Sequence, residues 1–283
     1  MHPRSARNGC MKLESGVIGG KTSSSRTPMA NPNHESAAQY LLAARKRGTP
    51  GPRIPAEFRP TDPEAGLAIQ ARMTALLGQP VGGYKCSLPS VPRPVVLAPL
   101  FAPTIVHGSP CPVLAIGPTV RIEPEIAFVM ARDLLPRTIP YTESEIRNAI
   151  KEARLVLEIL GSRYSDADSA TFPEILADGL ANQGLLVGPV LRDPWDRDLE
   201  SLPIVIDSAS GILATHEGKH ADRHPVRPLY WLANYLATGG TPLHAGMIVT
   251  TGSYCGALDV PIDTPLSFAY GDLGTLSATL TRA

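Results

Sequence analysis

Two glutamates separated by one residue, Glu123 and Glu125, are the side chains whose type and spacing most directly suggest chemistry. They lie in the apolar run 120–130, which is typical of a buried β-strand. Alternate side chains of a strand point to the same face, so both carboxylates project together, roughly 7 Å apart at ~3.3 Å of rise per residue. A hard divalent cation such as Mg²⁺ or Mn²⁺ would relieve their repulsion and keep positions open for water and substrate. The alternation rule by itself supports an exposed polar strand face equally well.

Two further residues could take part in the same chemistry. Lys85 lies in the Gly-flanked apolar segment 82–86, and Glu158 stands among five aliphatic residues in the strand-like run 155–160. A lysine next to a metal–carboxylate cluster would have a tunable pKa suited to proton transfer. Because fully buried lysines are rare, the pattern alone favours a surface lysine on an edge strand.

Other motifs give weaker support for chemistry. Three histidines recur every four residues, the spacing that would align them on one helix face for zinc: His216, His220 and His224. Gly218 makes a continuous helix doubtful, so we interpret His224 as a residue at the start of the following helix. The run 252–256 differs by one position from the nucleophile elbow of serine hydrolases, and no glycine pattern matches a nucleotide-binding loop.

The composition indicates a globular protein that acts on a small molecule. Of the 283 residues, 43% are hydrophobic, which is ample for a buried core. Lys plus Arg and Asp plus Glu number 26 each, so no global field attracts nucleic acid or an acidic membrane surface. The four cysteines have no C-x-x-C spacing, and no apolar stretch is long enough to span a membrane. We therefore expect a soluble protein in a reducing compartment, the cytoplasm.

The chain divides into a tail and one folded region. Residues 1–34 are basic and Ser/Thr-rich and lack apolar core positions, so we expect a disordered tail, with Met29 a plausible true initiator. Its acid-poor composition is also compatible with a transit peptide. We expect residues 35–283 to form a single catalytic domain, with a helical part at 35–80 and a β-rich core at 81–283.

Helix signals occur at four places. The run 36–47 contains good helix formers and stops at Gly48, and a capping box of Thr61 and Glu64 predicts a second helix that ends near Gly78. A second capping box predicts a helix from residue 142, and another helix follows residue 225 and stops at 239. The expected buried faces of these two helices are Ile146, Ile150 and Ala153, and Leu229, Leu232 and Leu236. Closing strands are predicted at 247–252 and 266–280.

Four separated motifs, in this order along the chain, resemble the 2-keto-4-pentenoate hydratase family of the fumarylacetoacetate-hydrolase superfamily. They are Gly83-Tyr-Lys85, the run from Arg121 to Leu134, the run from Leu157 to Arg163, and the run from His224 to Gly246. The match extends from about residue 36 to the C-terminus. The resemblance implies an α+β fold, a mixed β-sheet roll of the fumarylacetoacetate-hydrolase C-terminal type with N-terminal and peripheral helices.

The same resemblance implies a site. An E-x-E pair and a third glutamate bind Mg²⁺ or Mn²⁺ in that family, and they correspond here to Glu123, Glu125 and Glu158. Lys85 corresponds to the active-site lysine. Ser162 and Arg163 are implied as substrate-binding residues, although Arg163 is equally expected to orient a glutamate or to form a structural salt bridge.

The implied activity is the hydration of a 2-hydroxy-2,4-dienoate to a 4-hydroxy-2-oxo acid in aromatic meta-cleavage catabolism. A decarboxylase of 2-oxo-hexenedioates or a C–C hydrolase of the same fold is the alternative, and a catalytically weak partner subunit is a third. The family also implies a homo-oligomer, with a hydratase/decarboxylase complex as a possible assembly, and no nucleic-acid or membrane partner. Three departures from the family pattern put the positioning of water in question: Pro103, Met247 and an extra residue in 178–182.

Overall fold

The computed structural model describes residues 31–192, 194–195 and 197–283, which contain five α-helices and thirteen β-strands. The helices are α1 (Pro32–Arg47), α2 (Pro63–Leu77), α3 (Glu143–Asn148), α4 (Phe172–Ala177) and α5 (Val226–Thr238). The first seven strands are β1 (Val81–Ser87), β2 (Val96–Phe101), β3 (Ile105–His107), β4 (Cys111–Val113), β5 (Thr119–Met130), β6 (Ile150–Leu160) and β7 (Asn182–Leu191). The remaining strands are β8 (Ser201–Ser208), β9 (Gly211–Lys219), β10 (Ile248–Ser253), β11 (Leu258–Pro261), β12 (Pro265–Tyr270) and β13 (Thr275–Arg282).

The strands form two sheets. The larger sheet has the order β2-β1-β10-β5-β6-β7-β3, with β11 also paired to β5, and it mixes parallel and antiparallel neighbours. The smaller sheet has the order β4-β13-β12-β8-β9. The main hydrophobic core includes residues of both sheets and of α5. This arrangement confirms the α+β class expected from the sequence.

The N-terminal helices differ from the prediction at their starts. Helix α1 begins at Pro32 rather than at residue 36, because the Asn31 side chain accepts a hydrogen bond from the Asn33 amide and caps the helix. Residues 32–34 of the expected tail are therefore helical, and the rest of that prediction, residues 1–30 with Met29, lies outside the described residues.

The predicted capping box of α2 is wrong. Asp62, not Thr61, is the N-cap, and its carboxylate accepts from the Ala65 amide at 2.9 Å. The Thr61 hydroxyl instead donates to Asp62 at 3.2 Å. Two adjacent residues can both cap a helix, and the acid has the stronger preference for the N-cap position.

The capping box of Thr142 and Glu145 is confirmed, but the helix after it is shorter than predicted. Helix α3 ends at Asn148, so Ile150 and Ala153 belong to strand β6 and not to a helical face. Helix α5 is confirmed, with the predicted stripe of Leu229, Leu232 and Leu236 buried. The sequence analysis did not predict the hairpin β8–β9 or the short helix α4. Among the described residues, no helix is long and apolar enough to cross a membrane.

The pairing of β1 with β10 places Lys85 in the larger sheet. The two strands are parallel, with Gly83 opposite Ile248 and Lys85 opposite Thr250. A Cβ atom on Gly83 would lie 1.8 Å from the Ile248 carbonyl oxygen, which is backbone and cannot move aside as a side-chain end could. Glycine is therefore required at 83 for the two strands to approach this closely.

Replacing this glycine tests the placement of Lys85. We expect Gly83→Ala to lower the free energy of unfolding by at least about 2 kcal/mol, because the added methyl forces β1 away from β10. The measurement is chemical denaturation followed by circular dichroism. Gly239→Ala is the control, since its nearest contact is the Tyr235 carbonyl oxygen at 3.3 Å at the end of α5. Equal small losses for the two variants would contradict the close approach.

Candidate metal centre

Adjacent strands bring three glutamates together. Glu123 and Glu125 lie on β5, and the antiparallel register places Glu158 of β6 directly opposite Glu123. One carboxylate oxygen from each residue lies within 4.8 Å of the other two. In the described part of the chain this is the one group of three or more His, Cys, Asp or Glu side chains with ligand atoms so close together.

These carboxylates are withdrawn from water. Glu158 is fully buried, Glu125 is 2% exposed and Glu123 is half-buried. Like charges directly opposite each other on neighbouring strands destabilise a sheet, and burial increases the cost of each charge. The exposed polar face that the strand pattern also allowed is therefore not what the chain forms.

Lys85 supplies one positive charge to this cluster. Its Nζ lies 2.5 Å from Glu158 Oε1 and donates to the Leu180 carbonyl oxygen at 3.2 Å. Burial lowers the pKa of the Lys85 ammonium, but the carboxylates of Glu158 and Glu123 outweigh burial, so the pKa is raised above its ordinary value. The surface lysine that the pattern favoured is wrong, because the side chain is only 13% exposed and is paired with a buried anion.

Glu125 is anchored by an irregularity in β10. The register between β5 and β10 shifts between Thr250 and Ser253, so β10 contains a bulge opposite Glu125. Within the bulge Gly252 has a φ of 110°, and its amide donates to Glu125 Oε2 at 2.9 Å. The Thr250 hydroxyl donates to the same oxygen. Both anchors therefore hold the same oxygen of Glu125, and neither of them occupies Oε1.

The crowding of anions changes the proton affinity of the cluster. Burial, followed by the carboxylates of Glu158 and Glu123, raises the pKa of Glu125 to about 8. Burial also raises the pKa of Glu123, with Glu158 adding to the shift and Lys85 opposing it. A cluster that holds protons this tightly has an excess of negative charge that another cation would neutralise.

The donor set fits a hard divalent cation. Glu158 Oε1 pairs with Lys85 and accepts a hydrogen bond from the side-chain amide of Asn182 at 2.8 Å. Glu158 Oε2, in contrast, is buried and has no hydrogen-bond partner. Buried polar atoms are nearly always paired, so this oxygen needs a ligand. Mg²⁺ and Mn²⁺ prefer carboxylate oxygens, and the three glutamates offer at least one each.

Arg163 and Ser162 do not join the cluster. The Arg163 guanidinium is buried against Asp178, with Nε 2.5 Å from Oδ1, and Ser162 Oγ accepts from the Tyr164 amide at 3.0 Å. This geometry shows the salt bridge that was one alternative for Arg163. Both Ser162 and Arg163 line a neighbouring cavity, and contact of either residue with substrate stays a prediction.

That cavity, of about 550 Å³, opens beside the cluster. Its lining includes Arg45, Arg121, Leu160 and Ser162, but neither Lys85 nor any of the three glutamates. Arg121 and Leu160 form the next side-chain pair after Glu123 and Glu158 on the same face of β5 and β6. The cavity therefore adjoins the carboxylates, and the site is assigned by its chemistry and not by cavity size.

The histidines and the family departures lie in other surroundings. His216 belongs to β9, His220 follows that strand, and His224 accepts a hydrogen bond from the Val226 amide at the start of α5, as interpreted from the sequence. Pro103 is exposed in a short 3₁₀ turn, and the Met247 carbonyl accepts from the Met130 amide where β10 meets β5. None of these residues belongs to the carboxylate group.

Comparison with known proteins tests the resemblance. No family model matches the chain. The 2-keto-4-pentenoate hydratase of Paraburkholderia xenovorans strain LB400 is 28% identical over 235 residues, covering 80% of this chain and 86% of that protein. The chain is a relative of the 2-keto-4-pentenoate hydratases. A 4-oxalocrotonate decarboxylase of Pseudomonas putida is 25% identical over 158 residues, covering 56% of this chain and 59% of that protein.

A solved structure has a fold similar to that of this chain. The 4-oxalocrotonate decarboxylase from Pseudomonas putida G7, complexed with magnesium and adipate, superposes with a TM-score of 0.71 at 19% identity. The superposition covers 89% of this chain and 98% of the decarboxylase. The fold expected from the hydratase resemblance is therefore confirmed.

Neutralising one glutamate should have opposite effects on metal binding and on the metal-free fold. We expect Glu125→Gln to weaken Mg²⁺ and Mn²⁺ binding at least tenfold, about 1.4 kcal/mol, because it removes one of three anionic ligands. The unfolding free energy of the metal-free protein should not fall, because a buried glutamate with a raised pKa costs stability at neutral pH and a neutral glutamine does not. Calorimetric titration and chemical denaturation measure the two quantities.

The matched control for this variant is Glu152→Gln. Glu152 lies on the same strand as Glu158 but pairs with Arg154, away from the cluster. We expect this variant to bind metal as the parent protein does. Unchanged metal affinity in Glu125→Gln would mean that the E-x-E pair does not ligate the cation.

Proposed function

We propose that this chain is a divalent-metal-dependent hydratase that adds water to a 2-hydroxy-2,4-dienoate and yields a 4-hydroxy-2-oxo acid. The observation that carries the proposal is the placement of Lys85 in contact with the group formed by Glu123, Glu125 and Glu158. The likeness to hydratases over four fifths of the chain supports the choice of reaction. Mg²⁺ or Mn²⁺ is the proposed cofactor.

The residues present fit such a reaction. A divalent cation held by the three glutamates supplies Lewis-acid stabilisation of negative charge on the C1 carboxylate and C2 oxygen of a 2-oxo acid. Lys85 is the proposed proton shuttle, since its Nζ lies on the sheet face where that end of the substrate would bind. Loss of the proton from the C2 hydroxyl and protonation of C5 convert the dienol to a 2-oxo-3-enoate. Addition of water at C4, with a proton added at C3, then completes the hydration.

The anchoring contacts keep this machinery in place while substrate binds. Thr250 and the Gly252 amide fix one oxygen of Glu125, and Asn182 fixes one oxygen of Glu158. Lys85 is held between Glu158 and the Leu180 carbonyl, so its ammonium starts the reaction in a defined position. Preorganised charges of this kind need no reorganisation when charge develops on the substrate.

Decarboxylation of a 2-oxo-hexenedioate is the second candidate. It is favoured by the likeness to the Pseudomonas putida 4-oxalocrotonate decarboxylase. Loss of CO₂ from such a diacid leaves the same conjugated dienolate that the hydratase would handle, so one set of residues could serve either reaction. The distal part of the substrate pocket would then decide the outcome.

We place the protein in a reducing compartment, the cytoplasm. Cys86, Cys111 and Cys255 are free thiols, and two of the three are buried. Protein thiols stay reduced in that compartment. The homo-oligomer implied by the family stays a prediction.

Turnover of both substrate classes by the purified chain tests the proposal. With Mg²⁺ present, we expect loss of the ultraviolet absorbance of 2-hydroxypenta-2,4-dienoate and a product heavier by one water molecule. Lys85→Met should lower kcat by roughly 10²- to 10⁴-fold, the usual contribution of a positioned acid–base group. Metal affinity of this variant should fall by no more than a few-fold, because the three carboxylates remain.

The alternative outcomes separate the rival functions. CO₂ release from 4-oxalocrotonate without hydration of the dienoate would establish the decarboxylase instead. No turnover of either compound by a metal-loaded chain would leave a C–C hydrolase of the same fold or a catalytically weak partner subunit as the remaining functions. Full activity in Lys85→Met would remove the lysine from the mechanism.

A further inference from the structure

The segment that joins α4 to β7 has an unusual backbone. Gly179, Leu180 and Ala181 follow one another with φ angles of 74°, 54° and 57°. Residues with a side chain rarely adopt this left-handed conformation, and a run of three residues is rarer still. Such a conformation persists only where surrounding contacts determine it, and it occurs most often at functional sites.

The left-handed run directs two groups at the metal centre. The Leu180 carbonyl oxygen accepts from Lys85 Nζ at 3.2 Å. The side-chain amide of Asn182 donates from Nδ2 to Glu158 Oε1 at 2.8 Å, the same oxygen that pairs with Lys85. With Oε1 held by two donors, the Glu158 carboxylate can rotate little, and its free oxygen Oε2 stays available for a cation.

One buried side chain bridges the two ends of this segment. Arg163, 7% exposed, donates from Nε to Asp178 Oδ1 at 2.5 Å and from Nη2 to the Asp178 carbonyl at 2.6 Å. Its Nη1 donates to the Asn182 carbonyl at 2.8 Å. The Arg163 amide also donates to Asp178 Oδ2 at 3.2 Å. Asp178 and Asn182, the residues on either side of the left-handed run, are thus both tied to Arg163, and Arg45 makes longer contacts with the same two carbonyl groups, at 3.3 Å and 3.5 Å.

We propose that Arg163 is a positioning residue that sets the metal affinity of the cluster through Asn182. The inference rests on the proposed metal centre and concerns how Glu158 is held, not which reaction follows. Arg163 bridges Asp178 and Asn182, and this bridge holds residues 179–181 in the left-handed conformation. That conformation places the side-chain amide of Asn182 next to Glu158. A lysine cannot replace it, because its single nitrogen lacks the planar fork that reaches a carboxylate and two carbonyl groups together.

A double-mutant cycle on Mn²⁺ affinity tests this chain of contacts. The variants are Arg163→Lys, Asn182→Ala and both together, each titrated with Mn²⁺ by calorimetry. We expect each single variant to bind Mn²⁺ about tenfold more weakly, the lower end of the range for residues that orient metal ligands. Because Arg163 acts through Asn182, the double variant should be no weaker than the weaker single variant.

Two controls separate positioning from general stability. Arg154→Lys removes a similar pair of contacts, since Arg154 donates to Glu152 and to the Gly188 carbonyl. Asn234→Ala removes an amide that bonds the Tyr141 backbone beside α5. We expect both controls to lose thermal stability and to keep the Mn²⁺ affinity of the parent protein. Asp178→Asn, which is isosteric, replaces Arg163→Lys if the latter does not fold, and it should weaken Mn²⁺ binding in the same direction.

Each outcome decides something. Unchanged Mn²⁺ affinity in folded Arg163→Lys or Asp178→Asn, with only the stability lowered, would mean that the Arg163–Asp178 ion pair stabilises the fold without affecting the metal centre. That result would overturn the inference. Additive losses, about a hundredfold in the double variant, would overturn the route through Asn182. Absence of Mn²⁺ binding by the parent protein would overturn the metal centre and this inference together. A parent protein that binds Mn²⁺ but hydrates no dienoate would contradict the proposed function only.

Discussion

Three carboxylates and one ammonium group share one face of the larger sheet, and this excess of negative charge is the constraint on which the rest of the site depends. Glu123 and Glu158 stand directly opposite each other, and the oxygens that face inward lie within 4.8 Å. Two like charges at this separation repel by roughly 3 to 4 kcal/mol at an effective dielectric constant of about 20. Lys85 offsets one of the three negative charges. The two remaining negative charges must be neutralised either by bound protons, as the raised pKa of Glu125 indicates, or by a divalent cation.

The backbone is irregular where it serves this cluster. The bulge in β10 turns the Gly252 amide toward Glu125, and the left-handed run before β7 turns the Leu180 carbonyl and the Asn182 amide toward Lys85 and Glu158. Regular strands supply the carboxylates, because only a fixed register can hold Glu123 and Glu158 face to face. The irregular segments supply the hydrogen bonds that orient them. Bulges and strained residues concentrate at functional sites for this reason.

The features that could be predicted from the sequence are those that depend on a local pattern of residues. Strand alternation places Glu123 and Glu125 on one face, and the capping box at Thr142 and the stripe of α5 are local signals that the fold preserves. The pairing of Glu123 with Glu158 depends on the register between two strands, which no local pattern contains. The family resemblance supplied that link. It also suggested Arg163 as a substrate residue, which stays a prediction beside the observed salt bridge with Asp178.

Other features could not be predicted for identifiable reasons. Thr61 and Asp62 compete for one cap, and the helix after Thr142 stops early because β6 takes the following residues into the sheet. The bulge at Gly252 arises from pairing with β5. The left-handed run is held by contacts distant in sequence, among them the bridge that Arg163 makes across it. The role of Asn182 follows from that tertiary contact, although the extra residue in 178–182 marked the segment as unusual.

The most direct test of the account is the thermodynamic coupling between a divalent cation and a 2-oxo-acid mimic. Oxalate, which carries two adjacent oxygen donors like the C1–C2 end of the substrate, would be titrated by calorimetry into the protein with and without Mg²⁺. The account predicts that Mg²⁺ tightens oxalate binding at least tenfold, and that oxalate tightens Mg²⁺ binding by the same factor, as linkage requires. If Mg²⁺ does not bind, or if the two bind independently, the three glutamates are not the centre of a chelating 2-oxo-acid site.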